Sequence, residues 1–325
     1  MKTYKIGIIG CGHIARKMAF TLGRMEGVRC YAVASRNLEK AQAFAAEWQF
    51  EKSYGSYEAL ANDPEVDLVY IATPHSFHYE QARMCIERGK AVLCEKAFTA
   101  NTRQAEELLA LAHEKSVFIT EAIWTRYLPL SAKVKELLDA GTIGVPRTLS
   151  ANLSYPISGK ERIVRPELAG GALLDIGIYT LNFAAMAFGA DVERTVSACT
   201  KTDTGVDAQE SITLFYADGR MAALQSSIYV QSDREGIISG DKGHIIVENI
   251  NNPSSVRVVG SDYQTVAVYQ APPQITGFEY QVKACIEALE KGWLESPYMP
   301  HAETLRIMRQ MDALRKEWGV VYPCD

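Results

Sequence analysis

The most constraining feature of this chain lies at its start. Lys5–Ile9 (Lys-Ile-Gly-Ile-Ile) runs directly into Gly10-Cys11-Gly12-His13-Ile14-Ala15. An apolar β-type run, a G-x-G-x-x-A turn and an apolar helical pattern read as strand, phosphate turn and helix. Gly10 allows the tight turn, Gly12 lets a pyrophosphate approach bare backbone, and Ala15 is small enough for the helix to pack on a sheet. The helix that opens at His13 and Ile14 offers N–H groups and the positive end of its dipole to phosphate. A second β-type run, Val28–Ala34, follows. The whole reads as a dinucleotide-binding βαβ unit.

The end of that second run bears on which dinucleotide binds. An NAD site normally places Asp or Glu there to hold the ribose hydroxyls. Here the segment is Ala34-Ser35-Arg36-Asn37-Leu38-Glu39-Lys40, with no acid at the strand end. Arg36 offers a planar fork suited to a phosphate, and Ser35 and Lys40 add contacts. The expectation is a 2′-phosphate clamp, hence NADP(H).

Strand-type and helix-type patterns alternate up to about residue 121. The strands are Tyr4–Ile9, Arg29–Ala34, Leu68–Ile71, Ala91–Cys94 and Val117–Thr120; the helices include Leu38–Trp48, Phe77–Arg88 and Thr102–Lys115. Short all-apolar strands between helices imply a doubly wound parallel α/β sheet, a Rossmann arrangement. Beyond a helix at Pro129–Ala140 the pattern changes to partly alternating runs: Arg147–Ser154, Ser211–Tyr216, Met221–Tyr229, Gly243–Glu248, Val256–Val259 and Thr265–Tyr269. These predict a C-terminal α+β domain with a large, mostly antiparallel sheet and helices at Ile178–Phe188, Phe278–Lys291 and Ala302–Trp318. The expected domains are 1–121, binding NADP, and 122–325, binding substrate and forming a dimer.

Composition narrows the partners. The 325 residues are 47% hydrophobic and 22% charged, ordinary usage for a globular chain with two cores. The net charge of −5 gives no basic footprint for nucleic acid. No apolar run approaches the length of a membrane span, and the first strand leaves no room for a signal peptide, so a cytoplasmic protein is expected. Seven scattered cysteines without C-x-x-C spacing, Cys94 and Cys285 among them, read as small core residues. His75 and His78 form H-x-x-H without acidic partners, so no metal site is expected.

In a parallel α/β sheet, ligands gather beyond the carboxyl ends of the strands. Two such ends carry candidates for the cofactor. After Leu68–Ile71 come Thr73 and Pro74, a rigid turn, then His75 and His78; after Ala91–Leu93 come Glu95 and Lys96. A charged pair at the end of a buried strand is unusual unless it is paired or functional. A lysine there, close to the cofactor, is a candidate acid–base group.

The glycine turn, Ala-Thr-Pro-x-x-x-His, and Glu95-Lys96 together resemble the glucose–fructose oxidoreductase/inositol dehydrogenase (Gfo/Idh/MocA) family. Glu121–Arg126, Gly170–Tyr179 and Thr204-Gly205-Val206-Asp207 point further to the branch acting on dihydrodiols and D-xylose. The resemblance runs from residue 4 to about 323. It implies that Lys96 is the catalytic lysine, with Ala97 where the family usually has proline, so that the turn is expected to be less rigid. It places Asp175 and Tyr179 on the family's Asp-x-x-x-His pattern, tyrosine standing for histidine. The i, i+4 spacing puts both on one face if the helix begins at the aspartate, and Asp175 also reads as a helix N-cap. Trp124 and Arg126 would line the cofactor and substrate site. Trp124, Tyr155 and Phe278 are the aromatic candidates for a flat sugar face or aromatic diol. The implied reaction is hydride transfer between NADP(H) and a neutral hydroxylated substrate (a trans-dihydrodiol, an aldose or a related diol), with Lys96 and Tyr179 sharing the substrate oxygen. Which of the two takes the proton stays open at this point. The alternatives are an NAD-dependent sugar or inositol dehydrogenase and a catalytically silent NADP-binding regulator. A homodimer burying the face of the second sheet is expected, since a large exposed apolar face is a liability in a monomer.

Overall fold

A computed structural model describes residues 2–325. Its backbone divides into two units: the segment up to Trp124 together with Gln274–Met308, and Thr125–Pro273 together with Arg309–Asp325.

The first unit follows the alternation in the sequence: β1 (Tyr4–Ile9), α1 (His13–Leu22), β2 (Val28–Ala34), α2 (Leu38–Trp48), β3 (Lys52–Tyr54), α3 (Tyr57–Ala61), β4 (Leu68–Ile71), α4 (His78–Glu87), β5 (Ala91–Glu95), α5 (Thr102–Lys115) and β6 (Ile119–Ala122). The six strands pair in parallel in the order β3-β2-β1-β4-β5-β6. The order reverses between β1 and β4, which puts the ligand crevice of such a sheet at their carboxyl ends. Every residue of β4, β5 and β6 is buried, as strands covered on both faces must be. Asn37, Ser56 and Asn101 cap α2, α3 and α5 through side-chain oxygens. Gly12 at the start of α1 has no side chain to do so, and its first turn carries no acid.

The second unit comprises α6 (Pro129–Asp139), β7 (Pro146–Ser154), α7 (Glu161–Val164), α8 (Ile178–Phe188), β8 (Val192–Lys201), β9 (Asp207–Tyr216), β10 (Met221–Ser227), β11 (Gly236–Gly240), β12 (Gly243–Val247), β13 (Ser255–Gly260) and β14 (Thr265–Gln270). Its eight strands run β14-β13-β12-β11-β7-β10-β9-β8, antiparallel except for the β7–β10 pair. Helix α8 packs on β7 and β10. The stretch Pro166–Phe188 is apolar enough by length and composition to cross a membrane, contrary to the expectation that none would be, but its apolar window is 83% buried inside the protein. It is the core helical stretch of this unit, and Asp175 interrupts it.

The opposite face of the sheet is not the apolar surface expected. Thr200, Gln209, Ser211, Gln225 and Ser227 help line an open hollow of about 660 Å³ there. Exposed Val196, Met221, Val266 and Val268 are scattered over the edge strands and between them.

The chain then contributes α9 (Phe278–Lys291) to the first unit, and α10 (His301–Trp318) has residues in both. The expected division at 121/122 therefore misses a return of the chain. Helix α9 packs on α1, the Thr21 and Thr276 hydroxyls are 2.7 Å apart, and the Ile119 amide donates to the Leu294 carbonyl at 3.1 Å. Periodicity marks the apolar face of a helix and not the element that will cover it.

Candidate active site

At the β1–α1 turn Gly10 has φ +102°, and a Cβ there would stand 2.7 Å from the Ala72 carbonyl oxygen; only glycine fits. A Cβ at Gly12 would meet nothing nearer than 4.0 Å, so backbone and the amides of His13 and Ile14 stand open. This cradle fits a dinucleotide pyrophosphate. At the end of β2, Ser35 is buried and Arg36 and Lys40 are exposed. The Ser35 hydroxyl accepts from the Asn37 amide at 3.3 Å, and the Arg36 guanidinium lies 5.6 Å from the Phe77 ring centroid. Arginine stacked on an aromatic, with no carboxylate at the strand end, suits a phosphate better than a ribose diol.

The loop after β4 is tied to the loop after β5 by His78. Its ring is fully buried, with Nε2 and Nδ1 each 2.9 Å from a carbonyl oxygen, those of Thr73 and Ala97. Burial holds its pKa below the ordinary value. His78 therefore differs from expectation: both nitrogens face backbone, so it braces the site and has no polar atom left for a cofactor. His75 is buried edge-on against it. Pro74 opens the short turn between them, and the Thr73 hydroxyl donates to Gln81 at 2.7 Å.

Glu95, the last residue of β5, is buried and accepts a hydrogen bond from the Tyr70 hydroxyl; burial raises its pKa. Lys96 follows. From Ala91 to Asn101 every residue is buried except Lys96, which is half-buried. Its loop is tied down on each side although proline is absent. Ala97 O faces His78, Phe98 N–H donates to Glu121 Oε1 at 3.0 Å, Thr99 Oγ1 to Asn101 O at 2.8 Å, and Ala100 N–H to Gln104 Oε1 at 3.2 Å. The Lys96–Ala97 peptide bond is cis. The looser turn expected from Ala97 is thus replaced by a hydrogen-bonded one.

Trp124 and Phe278 do come together, at 4.8 Å between centroids. Both are nearly fully buried, and the ammonium of Lys17 on α1 lies 4.1 and 4.2 Å from their centroids. Burial lowers the Lys17 pKa, while Glu95 and Glu279 support its charge. Sequence reasoning missed Lys17; its only signal was a cation next to the apolar face of α1.

Trp124 and Arg126, expected as a pair, fall in different units. In the second unit Arg126 Nε donates to Asn182 Oδ1 on α8 at 2.6 Å. Tyr179 lies in the first turn of α8, buried at 8% exposure. Asp175 is not the N-cap of α8, which is Gly177; it lies inside a π-helical turn, Leu173–Gly177. There its buried carboxylate pairs with Arg162, at 2.8 and 3.3 Å through two nitrogens. Arg162 was also missed, since nothing local in sequence links it to Asp175. Tyr155 is half-buried, and its hydroxyl accepts from Asn251 at 3.2 Å. Among the described residues no three His, Cys, Asp or Glu side chains are grouped to hold a metal.

Residues 4–122 match the family described as "Oxidoreductase family, NAD-binding Rossmann fold", and residues 131–246 match the "GFO/IDH/MocA C-terminal domain". The chain is 37% identical over 327 residues to the trans-1,2-dihydrobenzene-1,2-diol dehydrogenase of Xenopus laevis, covering 98% of this chain and 99% of that one. It is 35% identical to the human protein of the same name, covering 98% of each. A solved 3-ketoreductase from Actinomadura kijaniata, in complex with NADP and TDP-benzene, superimposes with a TM-score of 0.87 at 27% identity, over 97% of this chain and 98% of that one. A glycine cradle on a parallel sheet, a braced lysine at the end of its fifth strand, and likeness along the whole chain lead to one assignment: this chain belongs to the Gfo/Idh/MocA family of oxidoreductases, with a nicotinamide-dinucleotide-binding Rossmann domain.

Proposed function

We propose that this protein is an NADP-dependent dehydrogenase acting on the CH–OH group of a neutral diol or sugar. The observation that carries the reading is Lys96. It is the one residue between Ala91 and Asn101 that is not buried, at the carboxyl end of a central strand, in a loop held by His78 and Glu121. A lysine placed with that much support is suited to hold a reacting oxygen and its proton.

When bound, NADP+ supplies the hydride acceptor. Gly10, Gly12, His13 and Ile14 would cradle its pyrophosphate, and Arg36, with Ser35 and Lys40, would take the 2′-phosphate. Thr73, Pro74, His75 and Trp124 would line the rest. Lys96 holds the substrate hydroxyl by its ammonium. Tyr179, as the phenolate, accepts a substrate hydroxyl proton, and Asp175 holds a second substrate hydroxyl beside Arg162. Tyr179 and Asp175 enter through the family resemblance. A trans-dihydrodiol is the favoured substrate class because relatives named for it match 98% of the chain. The reading extends to a cytoplasmic homodimer. Seven free cysteines favour the compartment.

The test is NADP+ reduction by the purified protein on a panel of trans-1,2-dihydrobenzene-1,2-diol, D-xylose, other aldoses and inositol. Turnover on a diol or aldose with NADP+ supports the reading. Turnover on inositol with NAD+ alone, or none at all, overturns it.

A further inference from the structure

The π-helical turn that carries Asp175 is bracketed by two glycines, and each faces a buried acid of β9. A Cβ on Gly171 (φ +117°) would collide with the Asp207 carboxylate, and one on Gly177 would collide with that of Glu210. Asp207 is completely buried, and its Oδ2 accepts from the Leu173 amide at 2.6 Å, with the Ala172 amide also supporting its charge. The loop before the turn is held as well: Gly171 N–H donates to Ile163 O at 2.7 Å, and the buried Tyr322 hydroxyl to Gly170 O at 2.6 Å.

A helical segment leaves its first amides without partners, and the residues at the start of this one, Gly171 and Ala172, have no side chain to supply an acceptor. Asp207 supplies it from a different element, across 34 residues of sequence. This explains why Gly170-Gly171 and Thr204-Gly205-Val206-Asp207 both stood out in the sequence. The glycine makes room for the carboxylate, and the loop before β9 delivers it.

We propose that Asp207 is a positioning residue for the reaction: its carboxylate caps the turn bearing Asp175 and α8 bearing Tyr179, and so fixes both side chains. The proposal rests on the reading that Asp175 and Tyr179 act on substrate. Asp207 itself touches neither substrate nor cofactor in it. A capping group of this kind matters because a misplacement of about 1 Å costs on the order of 10²-fold in rate.

The experiment compares wild type, Asp207→Ala, Asp207→Asn and Tyr179→Phe with NADP+ and trans-1,2-dihydrobenzene-1,2-diol, alongside hydrogen exchange of the 170–180 segment. Asp207→Ala is expected to lower kcat roughly 10–100-fold while KM for NADP+ stays within about twofold. The Ala172 and Leu173 amides should exchange at least about tenfold faster. Asp207→Asn keeps an acceptor oxygen in place and should restore kcat to within about threefold of wild type. Gly171→Ala, which displaces the same carboxylate, is read in the same way if Asp207→Ala does not fold. If Tyr179→Phe is inactive but Asp207→Ala turns over normally, the positioning role is overturned and the catalytic reading stands. If Tyr179→Phe turns over normally, the catalytic reading falls, and unchanged exchange at Ala172 and Leu173 then overturns the cap as well.

Discussion

Arg162 grips Asp175 through two guanidinium nitrogens, at 2.8 and 3.3 Å from its two carboxylate oxygens. The pair is lopsided: the Asp175 side chain is 8% exposed and that of Arg162 42%. The arginine thus shields a buried charge from the solvent side, and solvent screening discounts what the pair contributes. Arg162→Met is expected to lower stability by about 1–2 kcal/mol, because the carboxylate stays buried without this partner. Arg162→Lys should recover only part of that, since one ammonium cannot match the two-point contact. Thermal melts of the three proteins check the order; equal melting temperatures would contradict it.

The cofactor preference rests on Arg36. Arg36→Ala should weaken NADP(H) by about 1.5–3 kcal/mol, roughly 10–150-fold, and leave NAD(H) nearly unchanged. Only the 2′-phosphate loses a charge-assisted contact. Titration of both cofactors by fluorescence measures this, and equal losses would rule out the clamp.

Asp207 makes stability depend on pH. Burial pushes its pKa up to about 6, against the favourable charge of Arg315. Burial and the neighbouring Asp207 hold Glu210 on the same strand well above the usual carboxylate range and Tyr322 well above the usual phenol, and burial pushes Cys199 on β8 up to about 11. The folded value lies above the unfolded value of about 3.9. The folded protein therefore binds a proton between about pH 6 and 4 that the unfolded chain does not. That stabilisation is complete below about pH 4 and is lost as pH rises through 6. The melting temperature of wild type minus that of Asp207→Asn should be larger at pH 4.5 than at pH 7.5. A difference that is flat, or that grows with pH, would mean Asp207 does not titrate there.

The glycine cradle, the absent acid after β2 and Lys96 were legible because each is a local pattern with a local physical reason. Helices Leu38–Trp48, Thr102–Lys115, Ile178–Phe188 and Phe278–Lys291 were readable to the residue from their runs of apolar and helix-favouring residues. Strand β3 was missed because its three residues carry no period, and β8 because none of its residues is buried. Strand β11 was missed because glycine stands at both its ends. The π turn was invisible for a different reason. The Leu173 amide in it bonds to Asp207, which arrives from β9, and Asp175 taken in isolation looks like an ordinary cap. His78 is likewise defined by a distant partner, the Ala97 carbonyl against its ring, which no local pattern marks.

The second sheet should mediate self-association. Val196→Asp combined with Met221→Asp is expected to convert a dimer to a monomer without unfolding, because two buried charges face each other across a symmetric contact. Light scattering at micromolar protein checks this; a wild type that is already monomeric would contradict it.

The central claim is that Lys96 acts on the reacting oxygen. Tyr179→Phe should slow turnover by about 10²–10⁴-fold, the range of a positioned acid–base group. Lys96→Met is the more direct test, because methionine keeps the stem volume and removes the charge. The measurement is single-turnover NADP+ reduction on trans-1,2-dihydrobenzene-1,2-diol by wild type and Lys96→Met, each saturated with NADP+. The account predicts full NADP+ binding and no detectable reduction by Lys96→Met. Reduction by Lys96→Met at the wild-type rate would contradict it.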